Sequence, residues 1–224
     1  MIDLICGTRL NAEEFWSKSA LGLSLRRLAH DTRLKPRIYF ENRRGLPLLY
    51  NERIAAEDAA PILVFIHDDV WLDDYFFTEH ISAAVQAVDI VGVAGNKRRV
   101  PGQPSWAFPT TKFEWDERSN LSGTVAHGPN PFGKLSFFGP VPASCELLDG
   151  VLIATRRDLL REKQVGFDER FEFHFYDMDF CRSARAAGLW LATWPLAITH
   201  QSEGGFGSNA WLENYKKYIA KWGD

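Results

Sequence analysis

Cysteine is scarce: Cys6, Cys145 and Cys181 are the only three in 224 residues, widely spaced and without a CxxC pair. No disulfide framework or zinc site is expected from such a set, which fits reduced, mostly buried thiols in a cytoplasmic protein. Long apolar runs are missing as well. The best of them, Ile62-Leu63-Val64-Phe65-Ile66, is strand-sized, far short of the roughly 20 residues that span a bilayer. Neither charge sign dominates: 26 Lys and Arg face 29 Asp and Glu, a formal net charge of −3. Nucleic acid is therefore not expected as a partner, since no surplus of basic side chains is available to neutralise phosphates. The first residues, Met-Ile-Asp-Leu-Ile-Cys, place no basic segment ahead of an apolar one, so no secretory signal is expected. Peripheral contact with a membrane surface stays open, without a visible anchor.

Core material is plentiful. Hydrophobic residues make up 46% of the chain and aromatics 13%, with eight Trp, enough to fill one globular domain of this length. The first half alternates strand and helix signals: apolar Ile2 to Cys6, a helical stretch from Asn11 to about Ala29, β-prone Arg37 to Phe40, a helix from Gly45 to Ala60, then Ile62 to Ile66. Continuous apolar strands separated by helices predict an α/β fold with a mostly parallel central sheet flanked by helices. Ligands in such folds sit beyond the carboxyl ends of the strands, where Thr8-Arg9, Glu41-Asn42 and His67-Asp68-Asp69 all fall. A helix from about Leu72 to Val88 and a strand from Ile90 to Ala94 follow.

From Gly95 the texture changes. Seven of the eleven prolines (Pro101, Pro104, Pro109, Pro129, Pro131, Pro140 and Pro142) lie in an irregular, aromatic-rich insert. Trp106 and Trp115 in it are candidate flat apolar platforms for a sugar or nucleobase face, or equally the packing that holds it to the sheet. Order returns with a strand over Leu147 to Ala154 and a helix opened by Asp177-Met178-Asp179. A strand-like stretch then runs from Leu189 to Thr199 and ends at His200. A short amphipathic helix over Ser208 to Lys221 closes the chain, suited either to covering a site or to a homodimer contact.

Adjacent carboxylates at a buried strand end repel each other, and a divalent cation relieves that repulsion; Mg²⁺ or Mn²⁺ suits hard oxygen ligands. The alternative at Asp68-Asp69 is that one of them caps a following helix. Asp177 and Asp179 read either as helix N-terminal caps or as functional acids. One crevice beyond the sheet could collect these acids and His200.

The order of these segments resembles a family-2-type glycosyltransferase of the GT-A fold, and within that group the short bacterial branch typified by streptomycin-biosynthesis glycosyltransferase-like proteins. Phe65-Ile66-His67-Asp68-Asp69-Val70 is similar to the strand-end DxD segment, and Leu148-Asp149-Gly150 through Arg157 to the "DG…RR" stretch. Gly166-Phe167-Asp168-Glu169-Arg170-Phe171 resembles the GFDE-x-F turn. Phe175-Tyr176-Asp177-Met178-Asp179-Phe180-Cys181-Arg182 resembles the "(E)D-x-D-L-x-x-R" segment, and Trp194-Pro195 with His200 the closing "P…H" pattern. His67 stands where the first DxD acid usually is, and Tyr176 where a Glu usually precedes the base. The resemblance implies Asp69 and His200 as ligands of Mn²⁺ or Mg²⁺ and Asp68 beside the ribose or metal. It places Thr8, Arg9, Glu41 and Asn42 around the nucleotide, and Asp149 and Gly150 beside the donor sugar and acceptor. Asp177, or else Asp179, is the implied general base.

On that basis the chain divides into a nucleotide-binding half (1–94), the insert (95–146), an acceptor and catalytic half (147–205) and a C-terminal helix (206–224). The implied activity is inverting, metal-dependent transfer of a sugar from a nucleoside-diphosphate donor, a UDP-sugar, to a hydroxyl of a glycan or small molecule. Two other readings remain: a non-catalytic nucleotide-sugar-binding scaffold, and a metal-dependent nucleotidyltransferase or pyrophosphatase.

Overall fold

The computed structural model describes residues 1–202 and 204–224. Strand β1 (Ile2–Gly7) holds Ile2, Leu4, Ile5 and Cys6 fully buried on both its faces. Helix α1 (Ala12–Lys18) follows, capped by the Asn11 side chain on Glu14 N at 2.9 Å, and then α2 (Ala20–Arg27). The apolar spacing predicts one helix here. The chain makes two, because Ser19 adopts an extended backbone: its N–H donates to Phe15 O to close α1, and its hydroxyl accepts from Gly22 N to open α2. Gly22 is needed at this elbow, since a Cβ there would lie 2.1 Å from the Phe15 carbonyl oxygen.

Strand β2 (Leu34–Tyr39) lies parallel to β1 at a sheet edge, where Pro36 and its missing N–H are tolerated. Helix α3 (Leu46–Ala55) begins with Pro47 in its first turn and stops at Ala55 rather than Ala60. Strand β3 (Ile62–Ile66) pairs in parallel with the other side of β1. The helix expected from Leu72 starts later: Val70, Trp71 and Leu72 form β4 (Val70–Leu72), and α4 (Phe77–Ala87) follows. The next apolar stretch divides into β5 (Ile90–Gly92) and β6 (Ala94–Asn96).

Residues 97–120 carry no helix or strand. The rest of the insert supplies β7 (Leu121–His127), β8 (Lys134–Gly139) and β9 (Ala143–Cys145). The predicted strand over 147–154 is two, β10 (Leu147–Leu148) and β11 (Leu152–Arg156), separated by a turn at Asp149-Gly150. Helices α5 (Arg157–Glu162) and α6 (Tyr176–Ala186), strands β12 (Leu191–Thr193) and β13 (Ile198–His200), and helix α7 (Asn209–Trp222) complete the chain.

The main sheet has seven strands in the order β2-β1-β3-β11-β5-β12-β9. It is parallel over β2-β1-β3 and between β5 and β12, and antiparallel where β11 lies between β3 and β5 and where β9 joins the edge. The pairing is thus more mixed than the strand–helix alternation suggests. A second sheet, β10-β6-β7-β13-β4 with β8 on β7, packs beside it. Leu21 and Leu25 of α2, Leu49 and Tyr50 of α3, Ile81 and Val85 of α4, and Phe180 of α6 cover the sheets in one continuous core. Full burial of such a side chain is worth about 1.5–3 kcal/mol, so packing rather than local propensity carries the three-residue strands. Among the described residues, no helix is long and apolar enough to cross a membrane.

Candidate active site

The antiparallel insertion of β11 builds the site. Because Leu152 pairs with Ile66, the turn before β11 sits beside the residues after β3, and His67 N donates to Val151 O at 3.3 Å. On the other side His200 of β13 pairs with Val70, and Gln201 N donates to Asp69 O at 3.0 Å. Three segments distant in sequence thus meet: 67–69, 149–151 and 200–202. Together with the start of α6 they line a cleft of about 1330 Å³.

His67, Asp69 and His200 each offer one ligand atom, all within 4.8 Å of one another. Asp69 Oδ2 lies 3.3 Å from His200 Nε2, which also lies 3.1 Å from the Ser202 hydroxyl. Among the described residues, Asp69 Oδ1 is buried and has no hydrogen-bond partner, an arrangement that costs free energy unless a donor or a cation occupies its lone pairs. Burial pushes the Asp69 carboxyl up, but the hydrogen bond and charge of His200, with His67 behind it, outweigh burial and hold it at about 2. His200 answers in the opposite sense: burial lowers it and Asp69 raises it above its ordinary value. Two imidazoles and an ionised carboxylate with an orphaned oxygen suit Mn²⁺ well. A capping role for Asp68 or Asp69 falls away, because β4 follows them and α4 begins without a side-chain cap. Asp68 instead accepts a 2.5 Å hydrogen bond from the Thr8 hydroxyl across the parallel strands.

Asp177 stands at the start of α6. Its Oδ2 accepts from Gly150 N at 3.0 Å and its Oδ1 from Met178 N at 2.9 Å. Burial, reinforced by the charge of Asp149, pushes its carboxyl up to about 7. Gly150 has no room for a side chain: a Cβ would lie 2.5 Å from the Tyr176 hydroxyl and 2.9 Å from Asp177 Cβ. Asp149 is held otherwise, accepting from Trp106 Nε1 at 2.7 Å and from Val151 N at 2.9 Å.

The structure separates Asp179 from this group. Fully buried and outside the cleft lining, it binds Lys221 Nζ at 2.7 Å and Trp222 Nε1 at 2.8 Å, both from α7. Lys221 also reaches Asp168 of the Gly166-Phe167-Asp168 turn at 2.8 Å. This network anchors α7, whose Trp211, Tyr215 and Tyr218 surround the Phe175 ring at 5.0, 5.7 and 5.3 Å. Phe175 has φ 68°, a left-handed conformation costly for a bulky residue and retained only where surrounding packing enforces it. The α7 helix therefore fixes the residue that launches Tyr176 and Asp177 into the cleft. Lys221→Met is expected to lower stability by about 2–3 kcal/mol, somewhat under the usual range for a broken buried pair because Lys221 is partly exposed. Urea unfolding monitored by tryptophan fluorescence checks this; an unchanged midpoint refutes it.

Of the other residues expected from sequence, Thr8, Arg9, Asn42, Asp68, Asp149 and Gly150 line the cleft, whereas Glu41, exposed and at φ 49°, does not. Trp106 is buried, with its indole N–H committed to Asp149, so it forms part of the wall. Trp115 is 57% exposed at the cleft and stacks on Phe138 at 5.4 Å. Two residues stood in the sequence only as departures from a motif, and the structure gives both a place. His67 joins Asp69 and His200, and Tyr176 bonds His67 and Gly150. His127, which sequence reasoning missed, also lines the cleft with its ring 6.2 Å from that of His200. A lone His near the end of a strand inside an irregular insert carried no signal that could have found it.

The mixed α/β sheet gathers acids and histidines at its strand ends, where such folds place their ligand sites. The model of the Glycosyltransferase like family matches residues 41–204, and the chain belongs to that family. No curated protein matches it in sequence. Among solved structures, it resembles GalNAc-T7 with UDP, GalNAc and Mn²⁺ (10% identity, TM-score 0.54, 98% of this chain and 48% of that one). It also resembles TarS of S. aureus (13%, 0.52, 98% and 39%). A third is a Drosophila β1,4-galactosyltransferase 7 mutant complexed with manganese, UDP-Gal and xylobiose (10%, 0.51, 96% and 79%). At these identities the likeness is one of fold, and the chain spans less than half the length of the first two.

Proposed function

We propose that this glycosyltransferase is metal-dependent and inverting, taking a sugar from a nucleoside diphosphate, UDP in the first instance, to a hydroxyl of a glycan or small molecule. Asp177 is the general base, and the enzyme works in the cytoplasm as one of the short bacterial branch its motif order resembles. The observation that carries the reading is the pair of opposed acids in one cleft. Asp69 is ionised at any working pH and, among the described residues, leaves one buried oxygen without a partner. Asp177 is held near 7, where a carboxylate is a competent base.

The acceptor hydroxyl gives its proton to Asp177 as its oxygen forms a bond to the anomeric carbon. The anomeric bond to the diphosphate breaks from the opposite side, and the nucleoside diphosphate leaves with the electron pair. His67, Asp69 and His200 would hold a divalent cation, which would supply charge neutralisation for the diphosphate. Thr8, Arg9 and Asn42, on loops after β1 and β2, line the cleft and would hold the nucleotide, and Gly150 keeps the wall thin beside Asp177. UDP titration calorimetry with Mn²⁺ and then with chelator tests the site. Binding that weakens when the metal is chelated supports the reading, and equal binding in the two conditions refutes the metal's role. Release of pyrophosphate or nucleoside monophosphate from a sugar donor would instead identify nucleotidyl chemistry.

A further inference from the structure

His67 and Tyr176, the two residues that break the usual motif, break it together. They lie 109 positions apart, and His67 Nε2 is 2.8 Å from the Tyr176 hydroxyl. The same hydroxyl donates to the Gly150 carbonyl at 2.8 Å. A carbonyl oxygen can only accept and a phenol has one proton, so that proton is committed to Gly150 and the phenol oxygen must accept from the ring. A neutral imidazole that donates from Nε2 keeps its lone pair on Nδ1. We infer that Tyr176 is a positioning residue that locks His67 in the Nε2–H tautomer and so makes Nδ1 the nitrogen His67 presents to a divalent cation. The inference rests on the reading of His67, Asp69 and His200 as the metal site.

The residue types follow from this. A glutamate at position 176 is acceptor-only when ionised, so it could not donate to the Gly150 carbonyl as the phenol does. Tyrosine supplies both a donor and an acceptor without charge, and its side chain is almost fully buried, so water does not compete for either role. Phe173 stacks over the His67 ring at 5.7 Å and 25°, restraining the ring plane while Tyr176 restrains its rotation. Gly150, whose carbonyl accepts from the phenol, donates its N–H, which belongs to the preceding peptide, to Asp177. One hydroxyl therefore orients a metal ligand and braces the residue whose N–H holds the base.

The test is made on the metal-free full chain and with Mn²⁺ alone as the probe. In ¹⁵N-labelled protein, the His67 ring nitrogens, assigned by their loss in His67→Ala, are expected to show a protonated Nε2 and an unprotonated Nδ1. Tyr176→Phe is expected to introduce the Nδ1–H tautomer and to weaken Mn²⁺ binding, read by electron paramagnetic resonance, by about 10- to 100-fold, the range for loss of a ligand's supporting hydrogen bond. In the His67→Ala background the same substitution should cost nothing further. A wild-type Nδ1–H tautomer overturns the inference, and needs no variant to fold. Unchanged Mn²⁺ affinity in Tyr176→Phe also overturns it, as does a loss that persists without His67, which would mark a merely structural hydroxyl. Failure of the wild type to bind Mn²⁺ is a separate result: it overturns the metal reading, and the ligand role of Nδ1 with it.

Discussion

Asp177→Asn is expected to cut sugar transfer by about 10²- to 10⁴-fold, the contribution of a positioned general base, while leaving Mn²⁺-dependent UDP binding intact. The amide keeps the shape and can still accept from Gly150 N. Its NH₂ takes the place of the oxygen that accepts from Met178 N, so the wall of the cleft survives at the cost of that one hydrogen bond and the proton acceptor is lost. The pH profile carries a second signature. Only the ionised carboxylate can take a proton, and burial beside Asp149 holds Asp177 at about 7. The rate should therefore rise with pH below about 7, tenfold per unit well under it, and level off above. A rate already flat from pH 5 upward would reject Asp177 as the base. Near wild-type transfer by Asp177→Asn would do so outright.

Stability should move the other way. A carboxyl whose folded pKa is raised binds its proton more tightly in the native chain than in the unfolded one. Its contribution is thus most favourable at acid pH and declines as pH rises from the unfolded value near 4 to the folded value near 7. At pH 8 the wild type bears the cost of an ionised, poorly solvated group that the asparagine variant lacks. Asp177→Asn should accordingly be more stable at pH 8 by about 1–3 kcal/mol, discounted because the side chain borders the open cleft, and the gain should vanish by about pH 4. A variant that loses both activity and stability would instead point to a structural role for the carboxylate.

Much of this arrangement was legible in the chain because strand ends concentrate chemistry. The run Ile62 to Ile66, apolar throughout, could only be a buried strand, and whatever followed it had to emerge beyond the sheet; Asp68 and Asp69 were found that way. What the pattern could not show is which neighbour a strand takes. Leu152 to Arg156 reads as another buried strand, and nothing in its composition says that it runs antiparallel between β3 and β5, yet that direction alone puts Asp149 and Gly150 beside His67. Asp177 and Asp179 were equivalent in sequence because a DxD at a helix start presents both acids to the same turn. The distinction comes from Lys221 and Trp222, far along the chain, which claim Asp179. The elbow at Ser19 was hidden for a different reason: the apolar spacing on either side continues smoothly, and only the close approach of Gly22 to Phe15 reveals the break.

Asp69→Ala is the second large effect, and it separates metal binding from chemistry. The substitution removes the one anionic member of the His67, Asp69 and His200 group, so Mn²⁺ affinity should fall by more than the roughly 10- to 100-fold that loss of a mere supporting partner costs. UDP binding measured with Mn²⁺ should drop to the level the wild type shows with chelator. UDP binding measured with chelator should not weaken, because removing a buried negative charge cannot disfavour a diphosphate. That asymmetry is the discriminating point: a variant that merely misfolds loses both, whereas a variant that lacks the ion loses only the metal-dependent part. Asp69→Asn retains an oxygen donor without the charge and should fall between the two. If instead Asp69→Ala kept the full metal dependence, the cation would have to be held elsewhere in the cleft, and the orphaned Asp69 Oδ1 would be left as an uncompensated buried oxygen.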